Sequence, residues 1–141
     1  MKRGAILAAL ALAGCGSSVD VSDDLLNRTA AGDPQAIETA AKKLPRTDPG
    51  EHGQLEDALA RAMQVAPAKV LALVGRDKRL SAHAICVPFL AGDEAPRRLK
   101  ELVARSRAAI ESVTDPALAR AKTDCLAEVT AAETALERSG E

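Results

Sequence analysis

The sequence predicts an all-α protein, a small bundle or short array of helical hairpins held by one disulfide. Three observations carry that prediction. Apolar residues recur at helical spacing over several long stretches, whereas strand-like alternation is nearly absent. Three Asp-Pro pairs punctuate the chain: Asp33-Pro34, Asp48-Pro49 and Asp115-Pro116. Aspartate caps free backbone N–H groups, and proline suits the first helical position, where an N–H would have no partner. Each pair therefore marks a helix start or the turn leading into one. Finally, beyond Cys15 the chain holds two cysteines, Cys86 and Cys125, which a single bridge would use up.

The elements follow in order. A first helix is expected from about Ser22 to Ala31, with Asp23 and Asp24 in the first turn, where the helix dipole favours negative charge; Gly32 stops it. A second runs from Pro34 to Leu44, with Ala36, Ile37, Ala40, Ala41 and Leu44 along one stripe. Pro45 to Gly50 reads as a loop. A third helix runs from about Glu51 to Ala66 on the stripe Leu55, Ala58, Leu59, Ala62, Met63 and Ala66. Pro67 breaks it or begins a short fourth helix, Ala68 to Val74, which ends at Gly75. The charged run Arg76 to Arg79 is a loop, Leu80 to Cys86 a short turn of helix, and Val87 to Gly92 irregular. A sixth helix begins near Asp93 or Pro96 and continues to Val113, burying Leu99, Leu102, Val103, Ser106, Ile110 and Val113. After the turn at Thr114 to Pro116, the last helix runs to about Arg138. It turns Leu118, Ala121, Cys125, Val129, Ala132 and Leu136 inward, with Gly140 past its end. No fixed-period repeat is visible, so helical pairs joined by short loops describe the architecture.

The start of the chain has a different character. Lys2 and Arg3 precede an apolar run, Ala5 to Ala13, which is the order of a secretory signal. The run is far shorter than the roughly 20 residues a spanning helix needs. It ends in Leu12-Ala13-Gly14-Cys15. This resembles the lipobox of bacterial lipoproteins: leucine, two small residues, then cysteine. The resemblance implies that residues 1–14 are removed and that the Cys15 thiol carries a diacylglyceryl group as the first residue of the mature chain. Residues 15–21, opening with Gly16-Ser17-Ser18, would then be a flexible tether to a single helical domain spanning 22–141. In lipoproteins of enteric Gram-negative bacteria, aspartate directly after the cysteine resembles a signal for inner-membrane retention. Gly16 stands there instead, so the resemblance places the anchor in the outer membrane, facing the periplasm. One acyl chain binds a bilayer only marginally, at about 0.8 kcal/mol per buried methylene, whereas two or three hold firmly.

That destination bears on the cysteines. In an oxidising compartment thiols tend to pair, and lipid on Cys15 leaves Cys86 and Cys125 as an even set. Cys125 sits on the apolar stripe of the last helix, where a core disulfide would point. Closing that loop stabilises by about 4 kcal/mol in the chain-entropy account. A metal reading would add His83, spaced His-x-x-Cys from Cys86, but it has no fourth ligand. A second resemblance concerns the last third of the chain. Ile85-Cys86-Val87-Pro88-Phe89, with Thr114 to Leu118 and Cys125 beyond, is similar to a pattern in small secreted proteobacterial proteins of unknown function. It implies a bonded cysteine couple and a helical C-terminal hairpin, and it brings no activity.

Composition narrows the function classes. The formal net charge is −1, and it becomes more acidic once Lys2 and Arg3 are removed. There is no Trp or Tyr, and Phe89 is the one Phe. A mildly acidic chain without aromatic platforms has neither the charge nor the stacking surface for nucleic acid. The core must come from Ala, Leu, Val and Ile, and buried alanines remove little area from water. Intrinsic stability is therefore expected to be modest.

No hydrolase, zinc-protease, P-loop or dinucleotide fingerprint is present. His52, beside Gly53, reads as a solvated loop residue, and His83 as a surface or boundary residue. Ser81, two residues away, would lie on a different helix face from His83. Glu56-Asp57 reads as a solvated helix face and Asp93-Glu94 as a helix start. The sixth helix is basic through Arg97, Arg98, Lys100, Arg105 and Arg107, while Glu128, Glu133 and Glu137 make the end of the last helix acidic. Cross-hairpin ion pairs account for this, or the basic helix is an interaction surface for anionic lipid or an acidic partner.

These features lead to a non-catalytic, membrane-anchored lipoprotein facing the periplasm, without cofactor or metal. It would bind another envelope protein or support an envelope assembly. Two alternatives stand: a small inhibitor or immunity-type lipoprotein that blocks an enzyme or toxin, and an enzyme without a recognisable motif. An exposed rigid loop at Val87 to Ala95 would favour the inhibitor, and a broad uncovered apolar helix face the assembly role.

Overall fold

A computed structural model describes residues 21–88 and 96–139. The segment 1–14 expected to be a signal, Cys15 and the expected tether as far as residue 20 lie outside the described residues. So do the expected irregular residues 89–92, the Asp93-Glu94 helix start and Gly140.

Seven α-helices and no strand occur among the described residues, so the fold is all-α. They are α1 (Asp23–Ala30), α2 (Pro34–Lys43), α3 (Pro49–Ala62), α4 (Pro67–Leu71), α5 (Ala82–Cys86), α6 (Pro96–Glu111) and α7 (Ala119–Ser139). Short 3-10 turns extend α2 over Leu44–Arg46 and lead into α7 over Pro116–Leu118.

Local chemistry sets the starts. The Ser22 side chain accepts from the Leu25 N–H at 3.3 Å. Asp33 accepts from Gln35 and Ala36, both at 2.9 Å, and Asp48 from Gly50 and Glu51 at 2.9 and 3.0 Å. Asp115 takes the Ala117 N–H at 2.9 Å. Each Asp-Pro pair thus places aspartate at the cap and proline in the first turn, as the sequence predicts; such caps contribute about 1 kcal/mol each.

One start differs. The sequence predicts a loop through Gly50, yet α3 begins at Pro49 and carries Gly50 and Gly53 inside it. Glycine in a helix costs about 1 kcal/mol against alanine, so Gly50 beside Pro49 reads locally as loop. Tertiary contacts override it. His52 Nδ1 lies 3.2 Å from the Leu44 carbonyl and its Nε2 2.9 Å from Glu56 Oε1, tying the first turns of α3 to the end of α2. His52 is half-buried there and is not the solvated loop residue the sequence suggested.

The expected stripes are the core. Leu55, Ala58, Leu59, Ala62 and Met63 of the third stripe are buried, with Ala66 packed at its edge. Ala60 is buried as well, off that stripe, because α3 packs against α1 and α2 and also against α5. Ile37, Ala40 and Leu44 close the core from α2. Gly32, at φ +86°, turns the chain between α1 and α2; a Cβ there would come within 2.9 Å of Val65 Cγ2.

The far end of the molecule is the antiparallel pair α6 and α7. Val103, Ser106, Ile110, Val113, Cys125 and Val129 are buried at its seam, while Leu99, Leu102, Leu118, Ala121, Ala132 and Leu136 are half-buried. The short α4 and α5 bridge the two parts, α5 resting on both α3 and α7 and α4 reaching both α6 and α7. A disulfide joins Cys86, at the end of α5, to Cys125, in α7, with Cα atoms 5.4 Å apart. Both cysteines are fully buried, and the bond fastens the bridge to the terminal hairpin.

Candidate functional site

The charges of α6 and α7 include structural pairs across the hairpin and groups exposed on its surface. Arg107 is half-buried and donates to Glu133 at 2.6 to 3.2 Å, to Thr130 at 2.7 Å and to Glu111 at 3.5 Å. Its hydrogen bond holds the Glu133 carboxyl below its ordinary range and raises the guanidinium in turn. Arg107 is therefore a clamp across the hairpin, and its guanidinium is not offered to a partner. Lys122 seals the end of α6 by donating to the carbonyls of Glu111 and Val113, both at 2.7 Å. The other basic residues singled out by sequence, Arg97, Arg98, Lys100 and Arg105, are exposed. Arg97 pairs with Glu101 at 3.4 Å along the same helix.

Both histidines face carboxylates. His83 Nδ1 sits 2.9 Å from Glu128 Oε2, joining α5 to α7 beside the disulfide, with the His83 side chain 85% exposed. A hydrogen-bonded pair so open to water contributes at most about 1 kcal/mol. Ser81 does not meet His83. Its hydroxyl caps α5, accepting from the Ala84 N–H at 3.2 Å. Asp57 is paired with Arg61 at 2.8 Å. The residues that chemistry would first try as acid, base or nucleophile are thus engaged in helix caps and inter-helix ties. Among the described residues, no group of three or more His, Cys, Asp or Glu is placed to hold a metal ion.

Large exposed apolar side chains are scarce: among the described residues Val65 alone qualifies, and it shields Gly32. The most developed surface feature is a groove where the bridge meets α7. A depression of about 450 Å³ lies between residues 71–75 and 117–124, and another of about 430 Å³ continues it as far as Glu128. Val74, Gly75 and Asp124 belong to both. Leu71, Val74 and Leu118 make the lining partly apolar, while Arg120 and Asp124 bring opposite charges to it. A smaller depression of about 180 Å³ lies on the other side of His83, between Glu56 and Pro88.

Sequence reasoning names Gly75 only as the end of the fourth helix and singles out neither Arg120 nor Asp124. Their spacing on α7 is visible in the chain, but the approach of residues 71–75 to that helix is not. Comparison with protein-family models, curated proteins and solved structures finds no match. Function is therefore read from this chain's own residues.

Proposed function

We propose that the chain is exported, lipidated at Cys15 and held at the bacterial outer membrane, where its helical domain binds another envelope protein without catalysing a reaction. The order of residues 1–15 carries the reading: two positive charges, a short apolar run, then Leu12-Ala13-Gly14-Cys15. Two features of the fold support it. The buried Cys86–Cys125 bond is of the kind that persists in oxidising compartments. No helix among the described residues is long and apolar enough to cross a membrane, so attachment would fall to the lipid. From Cys15 to the first described residue, Val21, an extended chain reaches about 20 Å, which keeps the domain close to the bilayer.

Support for binding over catalysis comes from the engagement of Ser81, His52, His83 and Asp57 in structural contacts. Among the described residues the scarcity of exposed apolar side chains turns attention from a broad apolar docking face to the polar-rimmed groove. Growth with labelled fatty acid tests the anchor: wild type should incorporate label and Cys15→Ala should not. Equal labelling of both proteins would refute lipidation at Cys15. Cross-linking in intact envelopes tests the binding role, with a discrete cross-linked protein expected and none counting against it.

A further inference from the structure

The groove along α7 has chemistry that selects among occupants. From Ala117 to Glu128 it extends about 16 Å at helical rise, room for about five residues of extended chain. Gly75 lies where its two depressions meet. At φ +81°, with nothing within 4 Å of a would-be Cβ, it leaves that junction open. Neighbouring charges on α7 are committed, Lys122 to carbonyls of α6, Glu128 to His83 and Glu133 to Arg107. Arg120 and Asp124 differ. Both are exposed, both line the groove, and among the described residues neither has an ion-pair partner.

Their spacing is informative. Residues four apart on a helix are about 6 Å apart along its axis. Residues two apart on an extended chain are about 6.7 Å apart and point to the same side. We propose that the groove takes an extended segment of a partner protein carrying an acidic and a basic residue two positions apart. The acid lies against Arg120 and the base against Asp124, with small apolar neighbours over the half-buried Val74 and Leu118. This rests on the protein-binding reading above and names the partner's chemistry.

The test uses the full chain with its disulfide intact and an array of immobilised ten-residue peptides. Each peptide has an Ala/Leu background and a central acid-x-base, base-x-acid, acid-x-acid or base-x-base triplet. Wild type should retain an opposite-charge triplet about fivefold better than either like-charge triplet, as two exposed ion pairs allow. The preference should fade as salt rises. Asp124→Lys should shift the preference to acid-x-acid, and Arg120→Glu to base-x-base. Gly75→Asn keeps a residue that tolerates the left-handed backbone. It places a side chain at the junction and should weaken every peptide about fivefold, with helical dichroism and the disulfide unchanged. Failure to retain any peptide, or a preference indifferent to both charge variants, overturns the proposal. Envelope cross-linking of an Arg120→Glu/Asp124→Lys double variant separates the two levels. A partner captured equally by wild type and variant removes the groove and leaves the binding role standing. No partner captured by wild type removes both.

Discussion

The two ends of this molecule are held together by different forces. In α1 to α3, apolar area dominates: Ile37, Leu44, Leu55, Leu59 and Met63 are all at most 1% exposed. In the α6–α7 hairpin the large fully buried side chains are Val103, Ile110 and Val129, and a buried serine, Ser106, shares the seam. There the covalent bond at Cys125, the Arg107–Glu133 clamp and the Lys122 seal supply what apolar area does not. An alanine-rich chain with a single aromatic residue builds one good core and fastens the remaining elements to it by other means.

The largest expected effect follows from the bond that connects the ends. Cys86→Ala/Cys125→Ala should cost about 4 kcal/mol. Amide exchange should then open α6 and α7 before α1 to α3. Equal loosening of both ends would erase the contrast. Leu59→Ala, in the other region, should cost about 3 kcal/mol through lost burial and the cavity left behind. Its effect should appear first in the exchange of α1 to α3.

Smaller effects sharpen the polar side of the comparison. Glu133 is held below its ordinary range in the folded state, so the stability it contributes is complete above that range. It is lost as pH falls through the folded value. Glu133→Gln should cost about 1 kcal/mol at neutral pH and make the acid limb of the stability profile shallower. Urea midpoints at pH 7 and pH 3 measure both. An unchanged acid limb would mean that the clamp contributes nothing. Ser106 Oγ is buried with no hydrogen-bond partner, so Ser106→Ala should stabilise by up to about 1 kcal/mol. Gly53 sits in α3 with nothing within 4 Å of a would-be Cβ, and Gly53→Ala should add about 0.5 kcal/mol. Thermal melts read both signs directly.

Much of the fold was legible in the sequence because its signals are local. Asp33, Asp48 and Asp115 each cap the turn they precede, and the stripes of α2 and α3 are the residues found buried. The cysteine pair was legible because Cys125 falls on the apolar stripe of the last helix and, with Cys15 set aside, Cys86 is the one cysteine left to meet it. What escaped depended on distant neighbours. His52 became a tie between α3 and the end of α2 because the Leu44 carbonyl, eight residues back, was in reach. Arg107 was placed with the exposed basic face of its helix, yet Glu133 and Thr130 draw it into the hairpin. The groove was invisible for the same reason: residues 71–75 and 117–128 are brought together by the packing of α4 and α5 on α7.

By itself, then, the sequence determined the helical class, the three Asp-Pro starts, the apolar stripes and the cysteine couple. It is also the source of the expectation of a lipid anchor at Cys15. Each of these is written in residues close together or in simple counts, and backbone geometry translates them with little outside help. Tertiary structure alone decided that Gly50 lies inside α3, that Arg107 is a clamp, and that Arg120 and Asp124 share an open groove. Those outcomes depend on which helices pack against one another, and packing is set by the summed burial of the whole core.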